Sequence, residues 1–339
     1  MNDSNLKFTN IGKPTPLDSL NELLSKDMHS TNQIILKRLE SDVELIPQIA
    51  HYIIAAGGKR LRPLLTLACA KLFQPNIEKA HLLAAAVEFI HTATLLHDDV
   101  VDESEKRRGQ KSSHVIFGNE SAILVGDFLF ARSFELMVET RQIKALEILS
   151  KASTTITQGE VKQLSMMRKI DMDVNDYLEI VSGKTAALFA AACSVGSLVT
   201  VDDTKFNQAL YDYGLNLGIS FQVIDDLLDY SANLEKLGKQ TGDDLREGKM
   251  TLPVILAYKE ADDKDKATLR RIIESEDHTR AEDFPKVQNI MAKLNIDEKT
   301  RAFAKKHCDN AHQAIEPLPE SPVKALLGEL LDYSLHRLN

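Results

Sequence analysis

The sequence is poor in the residues that several common kinds of protein require. Its 339 residues include no tryptophan, 6% aromatic residues, 15 glycines, 10 prolines and 3 cysteines. The cysteines (Cys69, Cys193 and Cys308) are far apart and form no CxxC pair, which argues against a disulfide framework or a zinc site. Alternating β-type runs are also scarce, whereas Ala, Leu, Glu and Lys are abundant. The sequence therefore predicts an all-α protein.

An excess of positive charge and a membrane-spanning segment are also missing. The formal net charge is −9, which argues against general nucleic-acid binding and against a polybasic membrane anchor. The longest uncharged stretch, residues 185–201, is shorter than the roughly 20 residues that span a bilayer, so it predicts a buried core helix. Residues 1–10 lack the apolar segment of a secretory signal. We therefore expect a soluble, cytoplasmic protein.

The pattern along the chain predicts a short leader followed by one domain. Residues 1–20, with Gly12, Pro14 and Pro16, are expected to form a flexible leader, and residues 21–339 a single all-helical domain, because no Gly-, Pro- or Ser-rich linker divides them. The helical pattern is clearest in residues 206–228, where apolar side chains recur at spacings of three and four. We expect long antiparallel helices around a central cavity, with functional side chains pointing inward.

Two short acidic motifs of the form DDxxD each end a long apolar helical pattern. The first contains Asp98, Asp99 and Asp102, and the second contains Asp225, Asp226 and Asp229. Residues four apart lie on one face of a helix, and carboxylates packed together repel each other unless a positive group lies between them. Oxygen ligands in this number suit a hard divalent cation such as Mg²⁺, shared with substrate phosphates; about three such ions would balance six acids.

Local basic clusters accompany the acidic motifs. The segment Gly57–Pro63 places three cations (Lys59, Arg60 and Arg62) at the start of a predicted helix, which is typical of a phosphate site but also of a solvated basic turn. The tripeptide at 183–185 (GKT) invites comparison with a P-loop. That loop needs a glycine five residues before Gly183, where Leu178 stands, and a preceding strand, which the helical pattern contradicts.

Five blocks of sequence, in this order, resemble the trans-polyprenyl diphosphate synthases: GGKRLRP, EFIHTATLLHDDVVDESEKRRG, GKT, FQVIDDLLDY and LGKQTGDDLREGKMTLP. The segment around the first acidic motif is most similar to octaprenyl and decaprenyl synthases, which supply quinone side chains. The resemblance implies an isoprenoid-synthase-type helical bundle and a homodimer. It also implies chain elongation, in which an allylic diphosphate such as farnesyl diphosphate ionises and is joined to isopentenyl diphosphate. A greasy product could bring the protein to membranes.

The resemblance further implies roles for individual residues. Asp98, Asp102 and Asp225 would hold Mg²⁺ against the allylic diphosphate, supported by Asp99, Asp226 and Asp229. The allylic diphosphate would be bound by Arg107, Lys184, Thr185, Gln222, Lys239 and Lys249. Isopentenyl diphosphate would be bound by Lys59, Arg62, His91 and Arg108. Asp244 resembles an acid that orients metal-bound water, and the catalytic set would be Asp98, Asp102, Asp225 and Lys184.

Several of these residues also have simpler interpretations. His91 could be a core histidine, Lys239 and Lys249 could be surface lysines, and Thr185 and Gln222 could be hydrogen-bond partners between helices. His97 is given no role. No side chain is an obvious base, so the released diphosphate is expected to take the final proton.

Product length is expected to depend on Ala93 and Thr94, one turn upstream of the first motif. In the family that the chain resembles, side chains at these positions limit a hydrophobic tunnel, and short-chain enzymes tend to place an aromatic residue there. Small residues predict an open tunnel and a product of octaprenyl to decaprenyl length. Two alternatives stay open. Ala93 could be small only to let helices approach, or a bulky residue elsewhere could close the tunnel and give a farnesyl or geranylgeranyl product.

Other functions explain fewer of the motifs. A metal-dependent phosphohydrolase would use His91 with His97 and Asp98 but leaves the second acidic motif unexplained. A carboxylate di-iron bundle needs two ExxH motifs, and only Glu88–His91 is present. An inactive partner subunit would be expected to lack some of the six aspartates, and a terpenoid cyclase would not need the isopentenyl diphosphate residues.

Overall fold

The computed structural model describes residues 14–55, 57–74, 77–107, 109–231, 242–275 and 282–336. Within these residues the helices are α1 (Pro16–Leu23), α2 (Ser25–Arg38), α3 (Leu45–Ala55), α4 (Leu61–Lys71), α5 (Glu78–Val101), α6 (Ser113–Phe117), α7 (Asn119–Glu139), α8 (Ile143–Met166), α9 (Val174–Val181), α10 (Ala187–Leu198), α11 (Thr204–Asp229), α12 (Asp243–Glu247), α13 (Leu252–Glu260), α14 (Asp263–Ile273), α15 (Asp283–Lys293), α16 (Ile296–Ile315) and α17 (Pro322–His336). Two short antiparallel strands, β1 (Lys106–Arg107) and β2 (Gln110–Lys111), follow α5. The all-α prediction is confirmed for this part of the chain.

The first helix corrects the predicted leader. Helix α1 begins at Pro16, and Thr15 caps it in a reciprocal capping box with Asp18. Leu17 and Leu20 are buried in the core, so residues 16–20 are folded rather than flexible. The segment has too few apolar residues for their spacing to predict a helix, and Pro14 and Pro16 favour a loop. Proline is nevertheless favourable at the first position of a helix, where Pro16 stands. Residues 1–13 of the expected leader lie outside the described residues, and the single-domain prediction stays a prediction.

Helix α10 lies at the centre of the fold. Every residue from Ala187 to Ser197 is buried, and the helix packs against α4, α5, α8 and α11. Thr185, just before α10, forms a hydrogen bond with Gln222 near the end of α11. Ser197, near the end of α10, forms one with Asn207 near the start of α11. Helices α10 and α11 are therefore antiparallel. Both α9 and α11 begin at an aspartate whose side chain accepts backbone N–H groups of the first turn.

Helices α9 and α10 form one continuous helical segment through a single π-helical turn, Ser182–Ala186. Among the described residues, this segment (Val174–Leu198) is the one helix long and apolar enough to cross a bilayer, but 78% of its most apolar window is buried inside the protein. That burial agrees with the core helix expected for residues 185–201. The π-turn contains Lys184 and Thr185, so the GKT tripeptide lies within a helix and the P-loop is excluded.

Candidate active site

The two acidic motifs are connected through Lys249. Its ammonium donates a hydrogen bond to Asp102 Oδ2 at 2.9 Å, and its backbone N–H donates to the carbonyl of Asp244 at 2.8 Å. The backbone N–H of Asp244 in turn donates to Asp229 Oδ2 at 3.1 Å. The end of α5 and the end of α11 are therefore held together by residues 242–249. The motifs face one site rather than opposite surfaces.

In the first motif, one aspartate is buried against an arginine. Asp99 is 1% exposed, and its Oδ1 accepts hydrogen bonds from Arg107 Nε at 2.7 Å and Nη2 at 2.6 Å. Arg107 reaches it from β1, so the short strand pair folds this cation back over the motif. Asp98 and Asp102 are half-buried and lie at the end of α5.

In the second motif, two aspartates are held by neutral donors. Asp226 accepts from the Tyr177 hydroxyl at 2.6 Å and from Gln222 Nε2 at 2.7 Å. Asp229 accepts the backbone N–H groups of residues 242, 243 and 244 at 3.0, 3.3 and 3.1 Å. Asp225 is exposed on the same turn of α11. Of the six carboxylates, Asp225 is exposed, Asp98, Asp102 and Asp229 are half-buried, and Asp99 and Asp226 are buried.

Burial raises the pKa of three aspartates of the motifs, with further contributions from neighbouring charges. Burial raises the pKa of Asp98 to about 7; Lys184 opposes the shift, and Glu160 and Asp102 add to it. Burial also raises the pKa of Asp226 to about 7 and of Asp229 to about 6. Such carboxylates lie close to one another with too little positive charge to compensate, which is the electrostatic condition that a bound cation relieves.

The donor set fits a hard divalent cation. All the acidic groups offer oxygen, and Asp99 Oδ2 is buried without a hydrogen-bond partner among the described residues. In the same part of the chain, no three acidic, histidine or cysteine groups already lie close enough to form a complete cage. Mg²⁺ commonly uses one or two carboxylates and takes its remaining ligands from water and substrate phosphates. The residues therefore fit a cation that binds together with a diphosphate.

Lys184 and Thr185 reach the site from the π-turn. The Lys184 ammonium pairs with Glu160 on α8 at 2.9 Å, and the Thr185 hydroxyl donates to Gln222 Oε1 at 2.9 Å. Helix α8 approaches the turn backbone to backbone, because a Cβ on Gly159 would lie 2.6 Å from the Lys184 nitrogen. Thr185 and Gln222 are therefore helix-to-helix partners, and they also line a cavity of about 110 Å³ with Lys184, Asp226 and Lys249.

Lys249 pairs with two acids at the site, Asp102 and Glu247. Burial disfavours its charge, but Asp102 and Glu247 outweigh that cost and raise the pKa of its ammonium above the ordinary value. It lies among acids from both sides of the site and stays charged at neutral pH. The interpretation of Lys249 as an ordinary surface lysine is wrong, because its side chain is 14% exposed.

The isopentenyl diphosphate candidates lie near the start of α4. Arg62 Nη1 lies 3.1 Å from His91 Nε2, and the Arg62 guanidinium stacks over the Phe189 ring at 4.4 Å. Burial lowers the pKa of Arg62 to about 10, and nearby Glu88 opposes the shift. Lys59 is exposed, and a small cavity is lined by Gly57, Gly58, Arg60, Glu88 and His91. Arg108 and Lys239 lie outside the described residues.

The chain-length candidates lie in the core of α5. Ala93 is 1% exposed and belongs to a cluster that also contains α7 side chains. Thr94 is half-buried and its hydroxyl donates to the His91 carbonyl at 2.8 Å. Their role in product length stays a prediction.

The structure adds three residues that the sequence did not reveal: Tyr177, Glu160 and Glu247. Each contacts a predicted site residue, respectively Asp226, Lys184 and Lys249. Tyr177 gave no signal in its spacing, because the π-turn that directs it toward Asp226 is not evident in the sequence. Glu160 and Glu247 had none, since an isolated glutamate in a charged segment is usually solvated.

A family model described as polyprenyl synthetase matches residues 43–291. The chain belongs to the polyprenyl synthetase family. Among its relatives, octaprenyl diphosphate synthase of Escherichia coli strain K12 is 41% identical over 317 residues, which cover 92% of this chain and 96% of that protein.

Two solved members of the polyprenyl synthetase family have nearly the same fold. A polyprenyl synthase from Caulobacter crescentus CB15, complexed with calcium and isoprenyl diphosphate, matches with a TM-score of 0.91 and 45% identity, covering 97% of this chain and 100% of that one. A decaprenyl diphosphate synthase from Rhodobacter capsulatus matches with a TM-score of 0.92 and 45% identity, covering 96% of this chain and 100% of that one. The resemblance drawn from the five blocks is confirmed.

Proposed function

We propose that this member of the polyprenyl synthetase family is a long-chain trans-polyprenyl diphosphate synthase that adds isopentenyl diphosphate to an allylic diphosphate. The observation that carries the chemistry is the link between the two acidic motifs through Lys249, which gathers acids and a cation around one site. The product length is supported by relatives named for octaprenyl and decaprenyl products at 41% and 45% identity. A role in making quinone side chains is consistent with that length.

The headgroup end of the site binds and neutralises the allylic diphosphate. We assign Asp98, Asp102 and Asp225 as ligands for Mg²⁺, which when bound supplies positive charge to the departing diphosphate. Lys184 and Lys249 add fixed positive charge at the same place, and both are already oriented by acids. Breaking the C–O bond separates an allylic cation from diphosphate, so charge held in advance at the leaving group lowers the barrier. We propose about three Mg²⁺ per site, on charge balance with six acids.

The second substrate would be held at the α4–α5 side. Arg62 and His91 lie together there, with Lys59 at the exposed edge. An arginine over an aromatic ring is a rigid donor, because stacking on Phe189 fixes the plane of its guanidinium. This arrangement suits bidentate contact with a phosphate.

The exposed surface supports a homodimer. Leu124 and Val138 on α7, and Ile143 and Val161 on α8, are 60–72% exposed. Within each helix their spacing is close to a whole number of turns, so each pair forms one apolar stripe. We propose that a second copy of the chain covers these stripes. We also propose that the protein is cytoplasmic and associates peripherally with membranes through its product. Light scattering on wild type and on Leu124→Asp tests this, and a monomeric wild type contradicts it.

The direct test is incubation with farnesyl diphosphate, labelled isopentenyl diphosphate and Mg²⁺, followed by chromatographic sizing of the product. Products of octaprenyl to decaprenyl length are expected. Products that stop at geranylgeranyl length would support a short-chain synthase instead. Release of phosphate from nucleotides, without use of isopentenyl diphosphate, would support the phosphohydrolase.

A further inference from the structure

Four side chains form one chain of hydrogen bonds behind the second acidic motif. Thr185 donates to Gln222 Oε1 at 2.9 Å, and Gln222 Nε2 donates to Asp226 Oδ1 at 2.7 Å. Tyr177, which is 2% exposed, donates to Asp226 Oδ2 at 2.6 Å. Each oxygen of Asp226 therefore has its own donor. The Gln222 amide has one orientation that satisfies both of its partners.

The π-turn explains how Tyr177 and Thr185 reach the same helix. Both belong to one continuous helical segment, and in an ideal α-helix residues eight apart point about 80° away from each other. A π-turn inserts one extra residue, which reduces that angle to about 20°. Tyr177 and Thr185 consequently face α11 together, while Lys184 faces Glu160 on α8.

Two glycines hold the π-turn between its neighbours. A Cβ on Gly218 of α11 would lie 2.6 Å from Ala186 Cα, and a Cβ on Gly159 of α8 would lie 2.6 Å from the Lys184 nitrogen. Such separations are too short for any side chain, so α8 and α11 contact the turn directly through backbone. The turn is therefore fixed on both sides, and so is the direction in which Tyr177 and Thr185 point.

We propose that Tyr177 is a positioning residue for the second acidic motif, and that the π-turn is the device that brings Tyr177 and Thr185 onto it. This inference rests on the proposed function. Fixing Asp226 fixes the last turn of α11, which presents Asp225 and Asp229 to the diphosphate and its cations. A phenol is suited to this task because it holds a carboxylate without adding positive charge. An arginine in its place would repel the cations that the motif has to attract.

The experiment compares Tyr177→Phe with Tyr213→Phe. Tyr213 is a matched control, because it is also fully buried, on α11, and donates one hydrogen bond, to the Leu327 carbonyl at 2.9 Å, away from the acidic motifs. Binding of inorganic diphosphate in the presence of Mg²⁺ is measured by calorimetry, together with the Mg²⁺ dependence of turnover and both KM values. Melting temperature reports the structural cost of each lost hydroxyl.

Tyr177→Phe is expected to weaken Mg²⁺-dependent diphosphate binding about 10–100-fold, the usual effect of losing a group that orients a metal ligand. KM for isopentenyl diphosphate should not change. Tyr213→Phe should lower the melting temperature but leave diphosphate binding at the wild-type value. Equal binding in Tyr177→Phe and wild type overturns the proposal, whereas no binding in wild type counts against the proposed function itself.

A double-mutant cycle tests whether Tyr177 acts through Asp226. In an Asp226→Asn background, Tyr177→Phe should cause less than a twofold further change, because the carboxylate that it orients is gone. Independent, additive losses overturn the proposal. Thr185→Val, which removes the other end of the hydrogen-bond chain, provides a second variant should Tyr177→Phe fail to fold. Thr185→Val should weaken diphosphate binding in the same assay. A wild-type affinity for diphosphate would contradict the role of this chain of hydrogen bonds.

Discussion

The two acidic motifs have the same spacing but are held by different forces. The first is held by ion pairs: Arg107 on Asp99, and Lys249 on Asp102. The second is held by neutral donors: Tyr177 and Gln222 on Asp226, and backbone N–H groups on Asp229. The pair of Lys249 with the half-buried Asp102 can exchange partners when a polyanion and its cations arrive, whereas the neutral hydrogen bonds to the buried Asp226 cannot be broken without leaving a buried polar group unsatisfied. Identical motifs can therefore supply one adaptable side and one fixed side of a site.

The largest expected effect is loss of an accessible ligand from the adaptable side. Asp98→Ala should reduce Mg²⁺-dependent turnover by several orders of magnitude, because it removes charge stabilisation at the leaving group rather than packing. Circular dichroism should show a folded protein. Its melting temperature without metal should be no lower than that of wild type, since burial already disfavours the ionised Asp98. Near-normal turnover would contradict the metal role.

The next effect concerns the cation that joins the two motifs. Lys249→Gln keeps a polar side chain, one atom shorter, but removes its charge, so turnover should fall about 10²–10³-fold, as for loss of one preorganised donor. Lys293→Gln is the matched control, because Lys293, like Lys249, pairs with two acids but lies on the surface at α15. Steady-state kinetics of both variants decide the point, and equal rates would show that Lys249 only links the motifs.

A third prediction concerns the space below the first motif. Ala93→Tyr places a large ring one turn upstream of Asp98, where the side chain is now small and buried. Products should shift toward farnesyl and geranylgeranyl length while turnover continues. Chromatography of labelled products measures the shift. The control is Ala302→Tyr, at an exposed position of α16 away from the site and from the proposed dimer surface. An unchanged product distribution would contradict the tunnel hypothesis.

On the fixed side of the site, the stability of the protein should depend on the backbone contact between α8 and the π-turn more than on charge. Gly159→Ala forces α8 away from the π-turn and should lower the free energy of unfolding by about 1–3 kcal/mol. Gly328→Ala meets only ordinary contacts, the nearest at 3.5 Å, and should raise it by about 0.5–1 kcal/mol. Urea unfolding of the two variants measures both values. Equal stabilities would show that α8 can move without cost.

The smallest effect is a pH dependence shared by the two sides. Asp98 and Asp226 have pKa values raised from 3.8 to about 7, so between these values the native state binds more protons than the unfolded state. Stability without metal should therefore fall as pH rises through this window. Cations displace those protons, so the stabilisation by Mg²⁺ with inorganic diphosphate should be larger at about pH 7.5 than at about pH 5.5. Melting curves at both values test this, and Asp98→Asn should reduce the difference.

Much of the fold followed from local pattern. The apolar spacing of residues 206–228 predicted α11, which spans Thr204–Asp229, and the uncharged run 185–201 predicted a core helix. The predicted leader, residues 1–20, extends too far, because α1 begins at Pro16. That helix depends on a cap at Thr15 and on core contacts with residues distant in sequence, which local pattern does not show. Spacing could not reveal that Tyr177 lies against Asp226, because the π-turn changes the helical register between Tyr177 and Thr185.

The site was predictable in composition but not in pairing. Motif spacing placed the acids of each trio on one helix face, and the five blocks identified the family. Which acids are accessible depends on partners from other elements: Arg107 returns from a strand, and Gly242–Asp244 cap Asp229 from a later loop. Such partners are close in space and distant in sequence, so no local pattern encodes them.

The contact between Gly159 and Gly183 also restricts where a hydrocarbon can grow. Their backbones approach so closely that a Cβ on Gly183 would lie 3.0 Å from Gly159 Cα. No isoprenoid tail can pass between α8 and the start of α10 at that level. The tunnel hypothesis therefore predicts that a lengthening tail descends on the α5 side of the central helix, past Ala93 and Thr94, because the close approach of two glycines blocks the α8 side.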